Sequence, residues 1–572
     1  MVFYRKKNMR GKIFIKKGIS DVLHTGLVLL ICMLSQTAIA QNSYNATIRV
    51  PSDLSKETRQ AVTDMAGWLS KLTGKPFDIK EGAADGTSIA LVWARTSSLP
   101  VKEKGRLLED GQSFHLFVQG DKQAVITANG PAAFSNGIYT FLQELGFRWY
   151  MPGDNWTIVP ATLNRQLAIN RLYIPEFRNR FYAGSGGLRP IPDVDPANSF
   201  KADFDEWNLR NRFGLDYEAK GHSGQYFYTA NKAVLDKNPA WFCKGKIDQY
   251  GRINIQYPAV VDLFVKWGLQ QASTSYPYPI IGVDPSDGSG GTDDCLPASM
   301  PQIKTWSDKY FWLANQVAEK LQPQQRDVRV QLYAYASHAD MPSFDIHEKV
   351  YPVIIPYAFQ RITTPENFII QWNRKMKGRA MGIYDYWNIT QWSEGVPQFD
   401  IYSLPEKLRF WKRMNITGVY LESTYSKGAM GHAYWMAAQM MWNVNLNFDS
   451  LYNVFLKDCF GPAASDVRKM YDRWSRNYQE QMEVPLSLKN LADASQKTKD
   501  PLILARLAEL KAYVHYLRLY YEYKISSTPQ LYDQLVSYMK QIHSLRLVHT
   551  WALMSFYIKK PAGYNAAQGR SV

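Results

Sequence analysis

Apolar and polar positions follow three different rhythms along this chain of 572 residues. Between residues 42 and about 165, short runs such as ATIRVP and TSIALVW predict strands, while ETRQAVTDMAGWLSKLTG repeats its apolar positions at helical spacing and stops at Gly74. FHLFVQGDKQAVITAN predicts a hairpin turning at Gly120 and Asp121, and PAAFSNGIYTFLQELG a second helix. From about 170 to 440, apolar runs alternate with amphipathic stretches: EFRNRFYAG, YPIIGVD, DVRVQLYAYAS, YPVIIPYA, RAMGIYDYW and ITGVYLES lead into segments such as KTWSDKYFWLANQVAEKL and SLPEKLRFWKRM. That alternation predicts parallel strands joined by helices, and its extent suits a barrel better than an open sheet. Six strands are legible, and the irregular stretch 214–256 is expected to hold the missing one or two. Beyond 441 the periodicity is helical throughout. The expected fold is α/β and multidomain: an N-terminal α/β domain over 41–165, a central (β/α)8 TIM-type barrel over 166–440 and a C-terminal helical domain over 441–572.

The first forty residues belong to a different category. Lys and Arg cluster up to Lys17, GLVLLICML follows, and Ala38-Ile39-Ala40 precedes Gln41, the layout of a secretory signal peptide cut after Ala40. The apolar run is short for a membrane span, so no span is expected after cleavage. An exported, periplasmic or extracellular protein follows. Removal of residues 1–40 takes away seven basic residues and one acid, lowering the net charge from +16 to +10. The excess is dispersed and no nucleic-acid module accompanies it, which points to solubility or an acidic ligand rather than DNA. Cys243, Cys295 and Cys459 remain; their odd number argues against a disulfide framework, although export allows Cys243 to pair with Cys295.

Candidate chemistry sits at strand ends. YPIIGVDPSDG carries Asp284 and Asp287, RAMGIYDYW carries Asp385, and ITGVYLES carries Glu422. Glycoside hydrolysis needs one carboxylic acid to protonate the leaving oxygen and a second carboxylate as nucleophile or base, so Asp287, Asp385 and Glu422 are the catalytic candidates. Tyr333, Tyr335, Tyr384, Tyr386, Trp387 and Trp392 flank them, and strand alternation lets about half point into a site. Trp387 is the leading platform for a sugar face, with core packing as its alternative. Arg178 and Arg180 share a strand face and can grip a carboxylate or pair with a barrel acid. His222, in KGHSGQYFY, lies where an early loop reaches such a site. Asp284, Asp287, Asp293 and Asp294 crowd one loop, yet their spacing is not that of an EF-hand, so neither metal nor cofactor is expected. Phosphate loops, a G-x-S-x-G elbow and HExxH are absent from the sequence.

The segment ELGFRWYMPGDNWTIVP, from Glu144 to Pro160, resembles the end of the small N-terminal domain of bacterial α-glucuronidases, β-hexosaminidases and a family known as domain of unknown function 4838. NPAWFCKGKIDQYGRINIQYP, GVDPSDGSGGTDDC, LYAYA, IYDYW, GVYLES and HAYWMAAQMMWNVNLNFDSLYNVFLKDCFG are similar to stretches of the last family, so the resemblance spans roughly residues 45–480. It implies a glycoside-hydrolase-like barrel. By strand order it places Asp287 where α-glucuronidase-like barrels hold their general acid, normally Glu, and Asp385 and Glu422 where they hold the basic pair. The leading expectation is hydrolysis of a complex, uronic-acid-containing glycan. Alternatives are a non-catalytic glycan-binding protein, or a uronic-acid lyase using His222 and a tyrosine.

Overall fold

The computed structural model describes residues 43–214, 221–271, 280–321, 328–357, 363–477 and 481–564; the expected leader lies outside the described residues. The first sheet contains β1 (Thr47–Val50), β2 (Asp78–Glu81), β3 (Ile89–Trp93), β4 (Phe114–Gln119) and β5 (Gln123–Ala128). β6 (Arg148–Trp149) and β7 (Thr157–Ile158) form a separate pair, and β8 (Ala168–Tyr173) returns to the first sheet, giving the order β2-β1-β3-β5-β4-β8. The expected hairpin is β4 against β5, turning at Gly120 with φ +58°. Helix Lys56–Thr73 begins where the Ser55 hydroxyl accepts from the Thr58 N–H and ends at Gly74, whose φ of +71° suits the left-handed cap. Helix Pro131–Glu144 packs beside it. Gly137 permits the close approach to the sheet, since a Cβ there would lie 2.4 Å from Ile126.

The second sheet is parallel throughout and curls into a half-barrel. It comprises β9 (Asn179–Gly184), β10 (Ile280–Gly282), β11 (Arg329–Ala334), β12 (Val350–Ile354), β13 (Met381–Tyr386) and β14 (Ile416–Ser423), in the order β10-β11-β12-β13-β14-β9. The six legible strands are all present. Among the described residues β9 and β10 do not pair, and the described part of the stretch 214–256 contains helix Gly224–Leu235 and 3₁₀ turns; residues 215–220 of that stretch lie outside the described residues. The ladders set the inward layers. Gly382, Gly418 and Asn179 align at one level, Tyr384, Tyr420 and Phe181 at the next, and Tyr386, Glu422 and Ala183 at the mouth. Ile280, Tyr351, Val353 and Tyr420 form a closed cluster that Phe181, Tyr333 and Tyr384 cover, so the interior is a packed aromatic plug. Gly382 and Gly418 leave room for the Tyr351 ring.

Helices Lys427–Trp442, Phe448–Phe460, Ala464–Asn477, Glu483–Gln496, Pro501–Ile525 and Pro529–Gln541 follow. Every residue of Lys427–Trp442 is buried, which fits its apolar character on all sides. A buried ion pair ties three parts of the chain together: the Lys427 ammonium lies 2.7 Å from Glu509 and donates to the Pro152 carbonyl at 2.9 Å. Glu509 also accepts from the Trp156 indole and the Asn155 amide, both at 2.7 Å. Among the described residues, no helix is long and apolar enough to cross a membrane. Cys243 and Cys295 form a disulfide, and Cys459 is free and buried.

Removing one partner of a buried, hydrogen-bonded pair strands the other charge and costs about 3–5 kcal/mol. Glu509→Ala should therefore lower the calorimetric unfolding midpoint by several degrees. Removing the exposed pair between Lys201 and Asp205 through Lys201→Ala should leave it nearly unchanged.

Candidate functional site at the barrel mouth

The candidate residues separate according to the side of the strand they occupy. Glu422 ends β14 facing inward, half-buried, and accepts a hydrogen bond from the Tyr384 hydroxyl at 3.0 Å. Burial raises its pKa above the ordinary carboxylate value, against the lowering effects of the Tyr384 hydroxyl and of His222. Asp287 lies in the exposed loop after β10 and accepts from the Gly288 N–H at 3.0 Å. β10 and β14 stand four places apart in the sheet, yet the curl brings both acids within electrostatic reach of the same two tyrosines. Burial raises Tyr335, and Asp287, to which it hydrogen-bonds, and Glu422 raise it further. Tyr386 is raised by burial and then by Glu422, Tyr335 and Asp287.

His222 completes the wall. Its ring centroid lies 6.1 Å from that of Tyr333 and 5.9 Å from that of Tyr335. The backbone at His222 has φ +54°, an uncommon conformation for a non-glycine residue. Gly221 makes the approach possible, since a Cβ there would fall 2.7 Å from the Tyr333 ring. Tyr333 and Tyr384 are 5.7 Å apart, Tyr384 and Tyr386 5.5 Å, and Tyr386 and Trp392 5.2 Å, forming a continuous aromatic lining. Deeper in the barrel, the Asp284 carboxylate accepts from the Tyr333 N–H and from the Ser223 hydroxyl, and burial pushes it up to about 7.

Four expected residues lie elsewhere. Asp385 falls between inward Tyr384 and Tyr386, so its carboxylate faces the surrounding helices. There it accepts from the Trp387 indole at 2.6 Å and pairs with Lys407 at 3.0 Å. Trp387 is fully buried against Phe399 and offers no sugar platform. Arg180 also faces outward. It donates to the Arg212 carbonyl at 2.9 Å and to Gln112 of the first sheet's side at 2.9 Å, and lies over the Trp442 ring. Arg178 approaches Asp110, 4.0 Å away, on that same side. The acidic loop also disperses: buried Asp294 pairs with Lys309 at 2.5 Å, and Asp293 with Lys244 at 3.2 Å.

One wall residue comes from the far end of the chain. Tyr557, in the turn Leu553–Tyr557, is raised by burial and by the charge of Glu422. Nothing in strand order or spacing ties it to Glu422.

Residues 153–472 match the family described as Domain of unknown function (DUF4838). The chain belongs to that family. The matched region contains Asp287, Glu422, His222 and the tyrosine lining, and Tyr557 lies beyond it. No curated protein matches the chain in sequence. Among solved structures, the chain is similar to a family 115 4-O-methyl-α-glucuronidase with specificity for decorated arabinogalactans. The TM-score is 0.52 at 11% identity, over 89% of this chain and 77% of that one. A family 89 glycoside hydrolase from Clostridium perfringens gives 0.48 at 10% identity, over 86% and 66%. A family 20 β-N-acetylhexosaminidase from Streptomyces coelicolor A3(2) gives 0.38 at 13% identity, over 73% and 90%. The first likeness establishes a glycoside-hydrolase-like fold.

The two acids on opposite strand faces make different predictions. Asp385→Asn removes the charge that Lys407 pairs with and should lower the unfolding midpoint, at a cost of about 1–3 kcal/mol. Glu422→Gln, at a half-buried position on the mouth with no ion pair among the described residues, should leave the midpoint nearly unchanged, with thermal unfolding read on both variants.

Proposed function

We propose that this chain hydrolyses a glycosidic bond in a complex, uronate-bearing glycan at the mouth of the half-barrel. The observation that carries this reading is the convergence of Glu422 and Asp287 on Tyr335 and Tyr386. Glu422, held toward its protonated form by burial, is the proton donor to the leaving oxygen. Asp287, exposed at the rim, serves as the base or nucleophile. This reverses the order implied by strand position. The tyrosine lining and His222 supply apolar faces and hydroxyl partners for the sugar. The likeness to a glucuronidase fold supports the substrate class by analogy alone. Export is part of the reading: the leader-like pattern of residues 1–40 and the Cys243–Cys295 disulfide both favour an oxidising compartment.

A lyase would need a tyrosine or His222 to take a proton from the sugar. Tyr335, Tyr384 and Tyr386 are all held above the ordinary phenol value, by burial first and by neighbouring carboxylates after it, so little of the phenolate that would take the proton is present near neutral pH. That disfavours a tyrosine-based lyase; a lyase using His222 is separated from hydrolysis by the ultraviolet absorbance of its unsaturated product.

The test is reducing-sugar release by residues 41–572 from a panel of uronate-bearing and neutral glycans, decorated arabinogalactans included. Wild type should release sugar, and Glu422→Gln and Asp287→Asn should each lose about 10²–10⁴-fold in kcat. No release from any glycan, with binding retained, would replace the hydrolase by a glycan-binding protein. A second expectation follows from the sign of the Glu422 shift. A proton donor with a raised pKa stays protonated above the ordinary carboxylate range, so kcat should hold through that range and fall as pH rises past the shifted value. A profile that instead rises with pH across the same interval would assign Glu422 the base role.

A further inference from the structure

The mouth continues outward onto a surface the proposed chemistry does not use. Trp392 is 56% exposed and Phe556 61% exposed, although large aromatic side chains are usually well covered. They belong to segments that touch: the short helix Thr390–Ser393 lies against Leu553–Tyr557. The loop after β9 is held to the same place. The Ser185 hydroxyl accepts from the Thr390 N–H at 2.9 Å, and Gly186, at φ +84°, lies so close to Ala552 and Tyr557 that a Cβ would come within 2.9 Å and 3.3 Å of them. From this loop Arg189 reaches the Trp551 ring, 5.4 Å from its centroid, and Trp551 packs edge-on to Phe556 at 5.1 Å. Arg189 is exposed and forms no ion pair among the described residues. Tyr386 joins this surface to the carboxylates, since its ring contacts Trp392 on one side and Tyr384 on the other.

We propose that Trp392, Phe556 and Arg189 form a second sugar subsite at the rim, which binds a uronate residue adjacent in the glycan to the one held in the tyrosine-lined mouth. The proposal rests on the reading of the mouth as a glycan site. The aromatic faces match the apolar face of a pyranose ring, and a guanidinium steadied by an indole keeps its planar edge available for a carboxylate. Continuity with the mouth through Tyr386 selects a bound glycan over a protein partner. The segment 550–557 lies beyond the matched family region, so this subsite would set the ligand preference of this chain within its family.

The test is calorimetric titration in the Glu422→Gln background, using uronate-bearing oligosaccharides of at least three residues, intact and after chemical reduction of their carboxyl groups. Arg189→Gln should weaken binding of the intact oligosaccharides by about tenfold and leave the reduced ones unaffected. Trp392→Ala and Phe556→Ala should weaken both. The proposal is overturned if the background protein binds none of them, if the three substitutions leave affinity unchanged, or if Arg189→Gln acts equally on intact and reduced forms. Sugar release by the otherwise wild-type protein separates the two ideas. Arg189-dependent binding without release keeps the rim subsite and removes the hydrolase, while release with binding indifferent to all three substitutions removes the rim subsite alone.

Discussion

Successive side chains of a strand face opposite ways, and that alternation decides what the mouth of this protein contains. On β13 it turns Tyr384 and Tyr386 inward and sends Asp385 out to Lys407. Along β14 it turns Tyr420 and Glu422 inward, while on β9 it keeps Phe181 inside and places Arg180 against the first sheet's side. The ladders hold these choices in register, because a one-residue slip would invert every one of them. The aromatic plug of Tyr351, Tyr420, Tyr333 and Tyr384 then closes the interior below the mouth. Glu422 stands on top of that plug, desolvated from beneath, and this is the physical origin of its raised pKa.

The same alternation explains how far the sequence could be read. Helix Lys56–Thr73 announced both ends through Ser55 and Gly74, and the β4–β5 hairpin announced its turn. The six parallel strands were legible as apolar runs, and Asp287, Glu422, His222, Tyr333, Tyr335 and Tyr384 were found at the mouth. Asp385, Trp387, Arg178 and Arg180 were misplaced for one shared reason. A parallel strand covered on both faces reads as a continuous apolar run, so a period of two identifies two faces without marking the inner one. The stretch 214–256 carried no clear period: its described part holds a helix and 3₁₀ turns, and among the described residues β9 and β10 do not pair. Tyr557 carried no local signal, since only tertiary packing brings it to Glu422.

Packing beyond the barrel supports the same mouth. Lys427 follows β14 closely, and its pairing with Glu509, together with the Asn155 and Trp156 contacts, anchors the chain just after Glu422 to helix Pro501–Ile525 and to the segment that leaves the first sheet. A charge pair this deeply buried is costly to desolvate, and the hydrogen bonds from Lys427 to the Pro152 carbonyl and from Asn155 and Trp156 to Glu509 offset that cost. The helical region thus does two things at once: it immobilises the base of the mouth and, through Leu553–Tyr557, builds part of its wall.

The central claim is that Glu422 and Asp287 flank the bond to be cleaved. The most direct measurement is the crystal structure of the Glu422→Gln variant with a uronate-bearing oligosaccharide. The account predicts a sugar ring among Tyr335, Tyr384 and Tyr386, with a glycosidic oxygen within hydrogen-bond reach of the residue 422 amide and the adjacent anomeric carbon facing Asp287. A ligand seated instead in the ≈1170 Å³ cavity beside Trp93, His115 and Phe117 of the first sheet, with the mouth empty, would contradict it.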